Sequence, residues 1–345
     1  MGTASTSGGT VNVAVVGAGG ICNSVHMPSL KLMPDVNVVA ICDLIPERAE
    51  KTAAKWGIPH HYTLMREMFA NEKIDAVMNL VEPASLFHVS MLSLEHGYHT
   101  LSEKPPALLS TQAEALARKS DETGKIMMAA FNRRYIPAVR KVFEALKGIE
   151  ITQVEGCFYK YGSGDRFDKG GITAFLSDTV HAVDLLRALS GGGIATKAAL
   201  IGKSRECCME NIWNGLFEFD NGVTGIIKAN YIAGGRTHRF EAHGIGISAY
   251  MNLGIAGEPH AESDISSHTD MVSYSMAAAG GKASGMVHYD SRDLAESQDY
   301  FKYYGYYYED RHFIDCVKAG TMPETCIQDA RLSVRLTEQL LQSRM

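Results

Sequence analysis

Five mostly apolar stretches recur within the first 131 residues, and segments with a helical repeat of apolar residues separate them. Strands that are apolar along their whole length are typical of a parallel sheet, because helices cover both of its faces. The chain is therefore predicted to begin with an α/β domain built on a doubly wound parallel sheet. The apolar stretches are VNVAVV (11–16), NVVAICD (37–43), IDAVMNLV (74–81), YHTLSEKP (98–105) and IMMAAF (126–131), and the predicted helices span 46–56, 85–97 and 111–124.

The pattern changes after residue 132, which predicts a second domain of α+β type. Its strands alternate apolar and polar residues, as expected of a largely antiparallel sheet with helices on one face and the other face open. The turn DNG (220–222) predicts a hairpin. The predicted strands are ITQVEGCFYK, TKAALIGKS, WNGLFEF and GVTGIIKAN, with helices at 137–147 and 326–342.

These patterns predict a disordered polar tail (1–10), a first domain (11–131) and a second domain (132–345), with the C-terminal helix free to pack back on the first domain. Residues 255–300 are rich in Gly, Ser, Ala and Met and have weak periodicity. Long irregular segments of this kind cap a site, join subunits or lack order. This segment is expected to do one of the three.

Composition excludes several classes of function. The net charge is −6 and no run of Lys and Arg occurs, which argues against nucleic-acid binding. No stretch approaches the roughly 18 apolar residues of a membrane span. The seven cysteines are scattered without a CxxC pair, which favours a reducing, cytoplasmic setting and predicts no metal site.

The first apolar strand runs into Gly17-Ala18-Gly19-Gly20, a loop of the kind that binds dinucleotides. Cys22 stands at the position of the third glycine, where a small side chain still allows the helix to pack on the strand. Asp43 ends the second strand, about 20 residues after the glycine loop. A carboxylate at this position binds the adenosine ribose. Such a carboxylate repels a 2′-phosphate, so NAD is predicted over NADP, although Arg48 would soften this preference. Asp43 as a helix cap is less favoured, because Pro46 opens that helix.

SEKPPAL (102–108) follows the fourth strand at the ligand-binding edge of such a sheet. Lys104 lies there beside Glu103 and two prolines, where it would donate a hydrogen bond to a substrate oxygen. Taken alone, this motif favours a surface lysine next to a turn.

Residues 175–189 read as a buried helix, yet Asp178, His181 and Asp184 recur along one side of it. Ser177 lies in line with His181 at i+4. A polar stripe of this kind lines a pocket, and histidine is suited to taking a proton from an alcohol as hydride leaves its carbon. The helix pattern alone favours the alternative, a structural histidine bonded to aspartate.

The order of these motifs resembles that of the Gfo/Idh/MocA oxidoreductases, which include glucose–fructose oxidoreductase, inositol dehydrogenases and sugar 3-dehydrogenases. The resemblance covers residues 11–189, and a weaker similarity to the family occurs at 311–320. It rests on GAGGI, Asp43, LVEP with His88, EKPPAL, FNRRYIP (131–137) and the His-x-x-Asp helix.

The resemblance implies that Lys104 and His181 lie beside the reacting carbon. Many members carry an Asp four residues before the His, where this chain has Ser177, so Asp178 is assigned the acidic role as an expectation. The substrate-binding residues are then predicted as Asp178, Ser177, Arg134, Tyr135 and Tyr161. The predicted cofactor contacts are Gly17, Gly19, Gly20, Ile21, Asp43, Arg48, Pro83, His88, Glu103 and Lys104.

The function implied is NAD-dependent oxidation, or reversible reduction, of a secondary hydroxyl of a sugar, glycoside or cyclitol. An alternative is an NAD-retaining enzyme that cleaves glycosides by oxidation, elimination and reduction. A second alternative is an NAD-binding sensor without activity, which the presence of both Lys104 and His181 disfavours. The tyrosine-rich run 300–311 and the segment 255–300 are expected to shape specificity, although tyrosines also serve cores and interfaces.

The second domain is also predicted to form a homodimer or homotetramer. In WNGLFEF, Trp213, Phe217 and Phe219 alternate with Asn214, Leu216 and Glu218, and helices can cover only one of these sides. An open sheet face of this type is expected to pair with a second copy across a two-fold axis.

Overall fold

The computed structural model describes residues 9–161, 172–254, 261–267 and 286–345. The chain divides into two compact units: residues up to Asn132 with Tyr300–Arg335, and Arg133–Asp299 with Leu336–Met345. The segment 300–335, assigned above to the second domain, thus belongs to the first unit. Of the predicted tail, residues 1–8 lie outside the described residues.

The first unit is built on a six-stranded sheet in the order β3-β2-β1-β4-β5-β6. All neighbouring strands are parallel, as predicted. The strand order reverses between β1 and β4, because β2 and β3 lie on one side of β1 and β4 to β6 lie on the other. In such sheets the ligand binds in the crevice at the carboxyl ends of the two strands where the order reverses. The strands are β1 Val11–Val16, β2 Val36–Cys42, β3 His60–Tyr62, β4 Ala76–Asn79, β5 His99–Ser102 and β6 Met127–Ala129.

Helices pack on this sheet through apolar clusters that the alternating sequence pattern supplies. One cluster joins Ala14 and Val77 of the sheet to Phe69, and another joins Met127 to Leu116 and Val334. The α-helices are Met27–Lys31, Pro46–Trp56, Met65–Asn71, Pro83–Glu95, Ser110–Thr123, Tyr300–Tyr303, Tyr306–Ala319 and the first part of Ile327–Gln342.

The second unit holds an eight-stranded sheet in the order β14-β13-β12-β11-β7-β10-β9-β8. Among the described strands, only β7 and β10 pair in parallel, so the sheet is largely antiparallel, as predicted. Its strands are β7 Ile151–Tyr161, β8 Ala195–Lys203, β9 Ile212–Phe219, β10 Thr224–Asn230, β11 Ile232–Gly244, β12 Ile247–Asn252, β13 Glu262–Ser267 and β14 Met286–Asp290. The helices described here are Pro137–Leu146, Val180–Leu189 and Ser291–Leu294.

Part of the segment 255–300 is regular, contrary to the prediction of an irregular segment. Residues 262–267 form β13 and residues 286–290 form β14, which pair with each other and extend the sheet beyond β12. The Ser- and Asp-rich sequence of β13, ESDISS, has little strand propensity, so pairing with the neighbouring strands determines its conformation. The rest of the prediction, at 255–260 and 268–285, lies outside the described residues.

The two faces of the second sheet differ as the alternation in β9 predicts. Trp213, Phe217 and Phe219 are buried, whereas Leu216 is 57% exposed. Charged pairs share the exposed face with Leu216, including Lys197 with Glu218. None of the helices in the described parts of the chain combines the length and apolarity that crossing a membrane requires.

Candidate functional site

The glycine loop lies at the carboxyl end of β1 and has the geometry of a dinucleotide-binding turn. Gly17 has a φ of +101°, and a Cβ atom there would clash with the backbone carbonyl of Leu80. Cβ atoms at Gly19 and Gly20 would meet nothing within 4 Å, so the loop is open on that side. Cys22 is fully buried, as its predicted packing position requires.

Asp43 is bonded to the glycine loop itself. Its Oδ2 accepts a hydrogen bond of 2.8 Å from the backbone N–H of Ala18, and its Oδ1 accepts one of 2.9 Å from Ile45. The helix Pro46–Trp56 begins with proline and without a side-chain cap. The carboxylate therefore joins the end of β2 to the loop and does not cap the helix.

Asn23 is a second brace of this loop, which the sequence analysis missed. Its side-chain amide donates to the carbonyls of Ala18 and Gly19, each at 3.1 Å. Its Oδ1 accepts a hydrogen bond of 2.8 Å from the indole of Trp56. The only sequence signal was an asparagine four residues after Gly19 in the first helical turn.

The other predicted cofactor residues also belong to the first unit. Pro83 opens the helix that follows β4, and His88 is exposed on the same helix. Arg48 is exposed on the helix that follows Asp43. Ile21 precedes the π-helical turn Cys22–His26.

Lys104 is the second residue after β5, at the same edge of the sheet as the glycine loop. Glu103 is buried, and its Oε2 accepts a hydrogen bond of 2.9 Å from the backbone N–H of Lys104. The other carboxylate oxygen of Glu103 lies 3.2 Å from Nε2 of His26. Nδ1 of His26 in turn lies 3.0 Å from Oδ1 of Asp310.

His26, Glu103 and Asp310 form a cluster that we name the acidic cluster, and all three side chains are buried. Burial disfavours the charge on His26, but the two carboxylates overcome this and raise the pKa of His26 well above its ordinary value. For Glu103, burial acts to raise the pKa, but the hydrogen bond and charge of His26 hold that pKa below its usual range. The imidazole therefore keeps its proton and donates from both nitrogens.

His181 lies in the second unit, in the first turn of the helix Val180–Leu189, and is 8% exposed. A π-helical turn, Phe175–Thr179, precedes this helix and carries Ser177 and Asp178. Oδ2 of Asp178 accepts a hydrogen bond of 2.5 Å from Lys160 and one of 2.9 Å from the hydroxyl of Tyr231. Lys160 was not identified from the sequence.

Several cationic groups surround Asp178, and we name Lys160, Asp178, Tyr231, Arg133 and His238 the basic cluster. Burial lowers the pKa of Lys160 to about 8, with Asp178 opposing this and Arg133 adding to it. Burial, Arg133 and Lys160 also lower the pKa of His238. Arg133 donates to Nδ1 of His238 at 3.2 Å, which requires the neutral imidazole. His238 and His181 are close enough for their charges to interact.

Three of the predicted substrate-binding residues, Arg134, Tyr135 and Tyr161, are not members of the basic cluster. Arg134 and Asp184 are both buried and form a bidentate ion pair, with hydrogen bonds of 2.8 and 2.5 Å. Tyr135 is 5% exposed. Tyr161 is 74% exposed and lies on the face of β7 opposite to Lys160, because neighbouring strand residues alternate.

The tyrosine-rich run belongs to the first unit. Tyr303 and Tyr304 are buried, and the rings of Tyr300 and Tyr304 stack with centroids 5.0 Å apart. Part of the run is thus aromatic core, the alternative weighed for it from the sequence. Among the described residues, no group of three His, Cys, Asp or Glu side chains could hold a metal ion.

The residues of the first unit fit a dinucleotide. The open side of Gly19 and Gly20 leaves room for a pyrophosphate against backbone N–H groups, and Asp43 stands at the end of β2 where the ribose binds in such sheets. The arrangement fits the binding of NAD.

Comparison with known proteins agrees with this geometry. The chain is 25% identical to scyllo-inositol 2-dehydrogenase (NAD(+)) of Bacillus subtilis over 344 residues, 94% of this chain and 92% of the relative. It is 31% identical to D-glucoside 3-dehydrogenase of Escherichia coli over 127 residues, 36% of each chain. The chain spans less than half the length of the curated relatives that it matches at 31% identity.

A solved structure, levoglucosan dehydrogenase in complex with NADH, superposes with a TM-score of 0.81 at 19% identity and covers 97% of this chain and 96% of its own. This likeness concerns the fold. Residues 11–131 match the oxidoreductase family with an NAD-binding Rossmann fold, and residues 139–248 match the GFO/IDH/MocA C-terminal domain. The chain belongs to the Gfo/Idh/MocA family of NAD-binding oxidoreductases.

Proposed function

We propose that this protein oxidises a secondary hydroxyl of a sugar, glycoside or cyclitol with NAD, or reduces the corresponding ketone. Membership in the oxidoreductase family supports the reaction type. The relatives named scyllo-inositol 2-dehydrogenase and D-glucoside 3-dehydrogenase support the substrate class. All seven cysteines are free, in keeping with a reducing compartment, and we place the activity in the cytoplasm.

The position of Lys104 is the observation that carries the proposal. It follows β5 at the carboxyl edge of the sheet, and its backbone N–H is fixed by Glu103. An ammonium group on a fixed backbone suits a hydrogen bond to the substrate oxygen. This bond stabilises negative charge as the hydroxyl loses its proton.

His181 is proposed as the general base. Bound NAD supplies the hydride acceptor, and the substrate carbon becomes a carbonyl as C–H and O–H bonds break. The hydroxyl proton passes to the imidazole of His181. His181 is buried near His238, whose pKa burial, Arg133 and Lys160 lower, so that its imidazole is neutral and accepts from Arg133.

Asp178 is proposed to assist in substrate binding through the basic cluster. Its carboxylate holds Lys160 and Tyr231 in place, so it acts on the substrate as part of a network. Ser177 is proposed to contribute less to substrate binding, because its hydroxyl donates to the backbone carbonyl of Thr173 at 3.2 Å. Arg134 is proposed to support the helix through Asp184.

The proposal is tested by following NADH absorbance with a panel of inositols, free sugars and methyl glycosides. Accumulation of NADH with a polyol or sugar supports it. Glycoside cleavage without net NADH would replace it with the route through oxidation, elimination and reduction. Tight NAD binding without turnover of any panel member would favour a sensor.

We also propose that the exposed sheet face of the second unit binds a second copy of the chain. Leu216, Ile201 and Tyr250 are exposed on strands of this sheet, at 57%, 42% and 40%. Light scattering should show a dimer or tetramer, and Leu216→Lys should weaken it. Leu32→Lys, a change at an exposed leucine of the first unit, is the control. A fully active monomer at micromolar concentration would refute this assembly.

A further inference from the structure

The buried position of His26 is not explained by binding of a nucleotide at the glycine loop. His26 ends the π-helical turn after that loop and is fully buried. One ring nitrogen meets Asp310 of the helix Tyr306–Ala319, and the other meets Glu103. These partners are 284 and 77 residues away in sequence.

The contacts of Glu103 connect His26 to the lysine of the proposed function. Glu103 uses one carboxylate oxygen for His26 and the other for the backbone N–H of Lys104. A continuous chain of hydrogen bonds therefore runs from Asp310 through His26 and Glu103 to Lys104. Movement of any of these groups changes the anchor point of the lysine side chain.

We propose that His26 and Asp310 are positioning residues, which hold Glu103 and thereby fix Lys104 for reaction with the substrate. This inference rests on the proposed function of Lys104. A buried carboxylate with a single backbone donor would rearrange to find another partner. The imidazole, donating to both acids, prevents this rearrangement.

The surroundings of His26 give the inference a dependence on pH. The titratable groups in contact with the ring are Asp310 and Tyr306 from the helix Tyr306–Ala319 and Glu103 after β5, and Cys22 is buried in the same turn as His26. Tyr300 of the preceding short helix contacts the ring of Tyr306. Loss of the imidazole proton removes one of the two donors, so activity should fall as pH rises through the pKa of His26.

The test compares Asp310→Asn and His26→Gln with Arg311→Met. Arg311 lies beside Asp310 on the same helix and pairs with Asp35 at 2.7 Å, so its loss weakens packing of that helix without touching the chain to Lys104. We expect kcat to fall roughly 10- to 100-fold in the first two variants, because small misplacements of reacting groups have effects of this size. NAD affinity should change little in all three.

Two further readouts are available, and the first does not require turnover. The rate at which acetic anhydride labels Lys104, measured by mass spectrometry, should change in Asp310→Asn and remain at the wild-type value in Arg311→Met. In Asp310→Asn the falling limb of the pH profile of activity should move to lower pH, because His26 loses a carboxylate that raises its pKa. Wild-type kcat and labelling rate in a folded Asp310→Asn variant would overturn the inference.

NMR titration of the histidine rings in the wild-type protein decides the matter if both variants fail to fold. His26 should keep both ring protons at neutral pH, and an ordinary titration there would overturn the inference. Lys104→Ala separates the two proposals. Full activity of Lys104→Ala refutes the proposed function, whereas its inactivity beside a fully active Asp310→Asn refutes only the positioning role.

Discussion

The two buried polar clusters of this protein have opposite charge balance. In the acidic cluster, two carboxylates flank one imidazole, and the pKa of His26 is raised. In the basic cluster, Lys160 and Arg133 surround the carboxylate of Asp178, and the pKa values of Lys160 and His238 are lowered. Each cluster lies next to one residue of the proposed reaction, Lys104 or His181.

The difference suggests a division of labour. A protonated imidazole between two acids makes strong hydrogen bonds and fixes the backbone on which Lys104 stands. Burial and neighbouring cations favour the unprotonated form of a base, so His238 is neutral at neutral pH. We propose that one unit holds a charge in place and that the other carries out proton transfer.

Removing the residue beside each cluster should have the largest effect. Lys104→Ala and His181→Ala should each reduce kcat roughly 100- to 10,000-fold, the usual contribution of a positioned acid or base. NAD affinity, measured by calorimetry, should stay nearly unchanged. Lys125→Ala is the control, since Lys125 precedes β6 at the opposite edge of the sheet. Wild-type turnover of His181→Ala would make the histidine structural.

A third carboxylate sharpens the comparison because backbone N–H groups hold it. Asp43→Asn removes the charge that disfavours a 2′-phosphate, so the ratio of kcat/KM for NAD over NADP should fall roughly 10- to 100-fold. Asp75→Asn is matched to it, because Oδ2 of Asp75 accepts from the backbone N–H of Asn12 at 2.8 Å, at the other end of β1. Equal or better use of NADP by the wild-type enzyme would defeat this role of Asp43.

Within the basic cluster, Asp178→Asn should reduce kcat/KM by roughly tenfold, because Lys160 and Tyr231 lose the charge that orders them. Ser177→Ala should cost less, since its hydroxyl bonds a backbone carbonyl. Steady-state kinetics of both variants across the substrate panel would test this order. If Ser177→Ala cost more than Asp178→Asn, Ser177 would be the residue that replaces the family's aspartate.

Five of the six strands of the first sheet could be predicted from sequence because they are mostly apolar, whereas β3, with the sequence HHY, is polar and was missed. The strands β11 and β12 were not predicted, since charged residues such as Arg239 and Glu241 on the open face obscure the apolar repeat. The clusters could not be predicted either. His26 and Asp310 are 284 residues apart, and Lys160 lies in a strand whose sequence gives no sign of its partner Asp178.

The two clusters should also affect stability with opposite dependence on pH. The contribution of His26 is complete below its unfolded pKa of about 6.5 and is lost as pH rises through its raised folded pKa. For Lys160, burial of the charge costs most below pH 8, and stability rises between about 8 and 10.5, where only the unfolded state keeps the proton.

Urea unfolding of His26→Gln and Lys160→Met across this pH range measures the smallest of these effects. The free energy of unfolding of the wild type relative to His26→Gln should shrink as pH rises. Relative to Lys160→Met it should grow by about 1 to 3 kcal/mol above pH 8. Parallel trends for the two variants would show that the clusters do not differ in the way described.

Hydride transfer to NAD is the central claim, and isotope transfer tests it most directly. A polyol or glycoside that turns over in the panel would be deuterated at the carbon that bears the reacting hydroxyl. Mass spectrometry of the nicotinamide should then show one deuterium gained for each ketone formed, with none after His181→Ala. Ketone formation without deuterium in the nicotinamide, or NAD binding with no oxidation of any panel member, would contradict it.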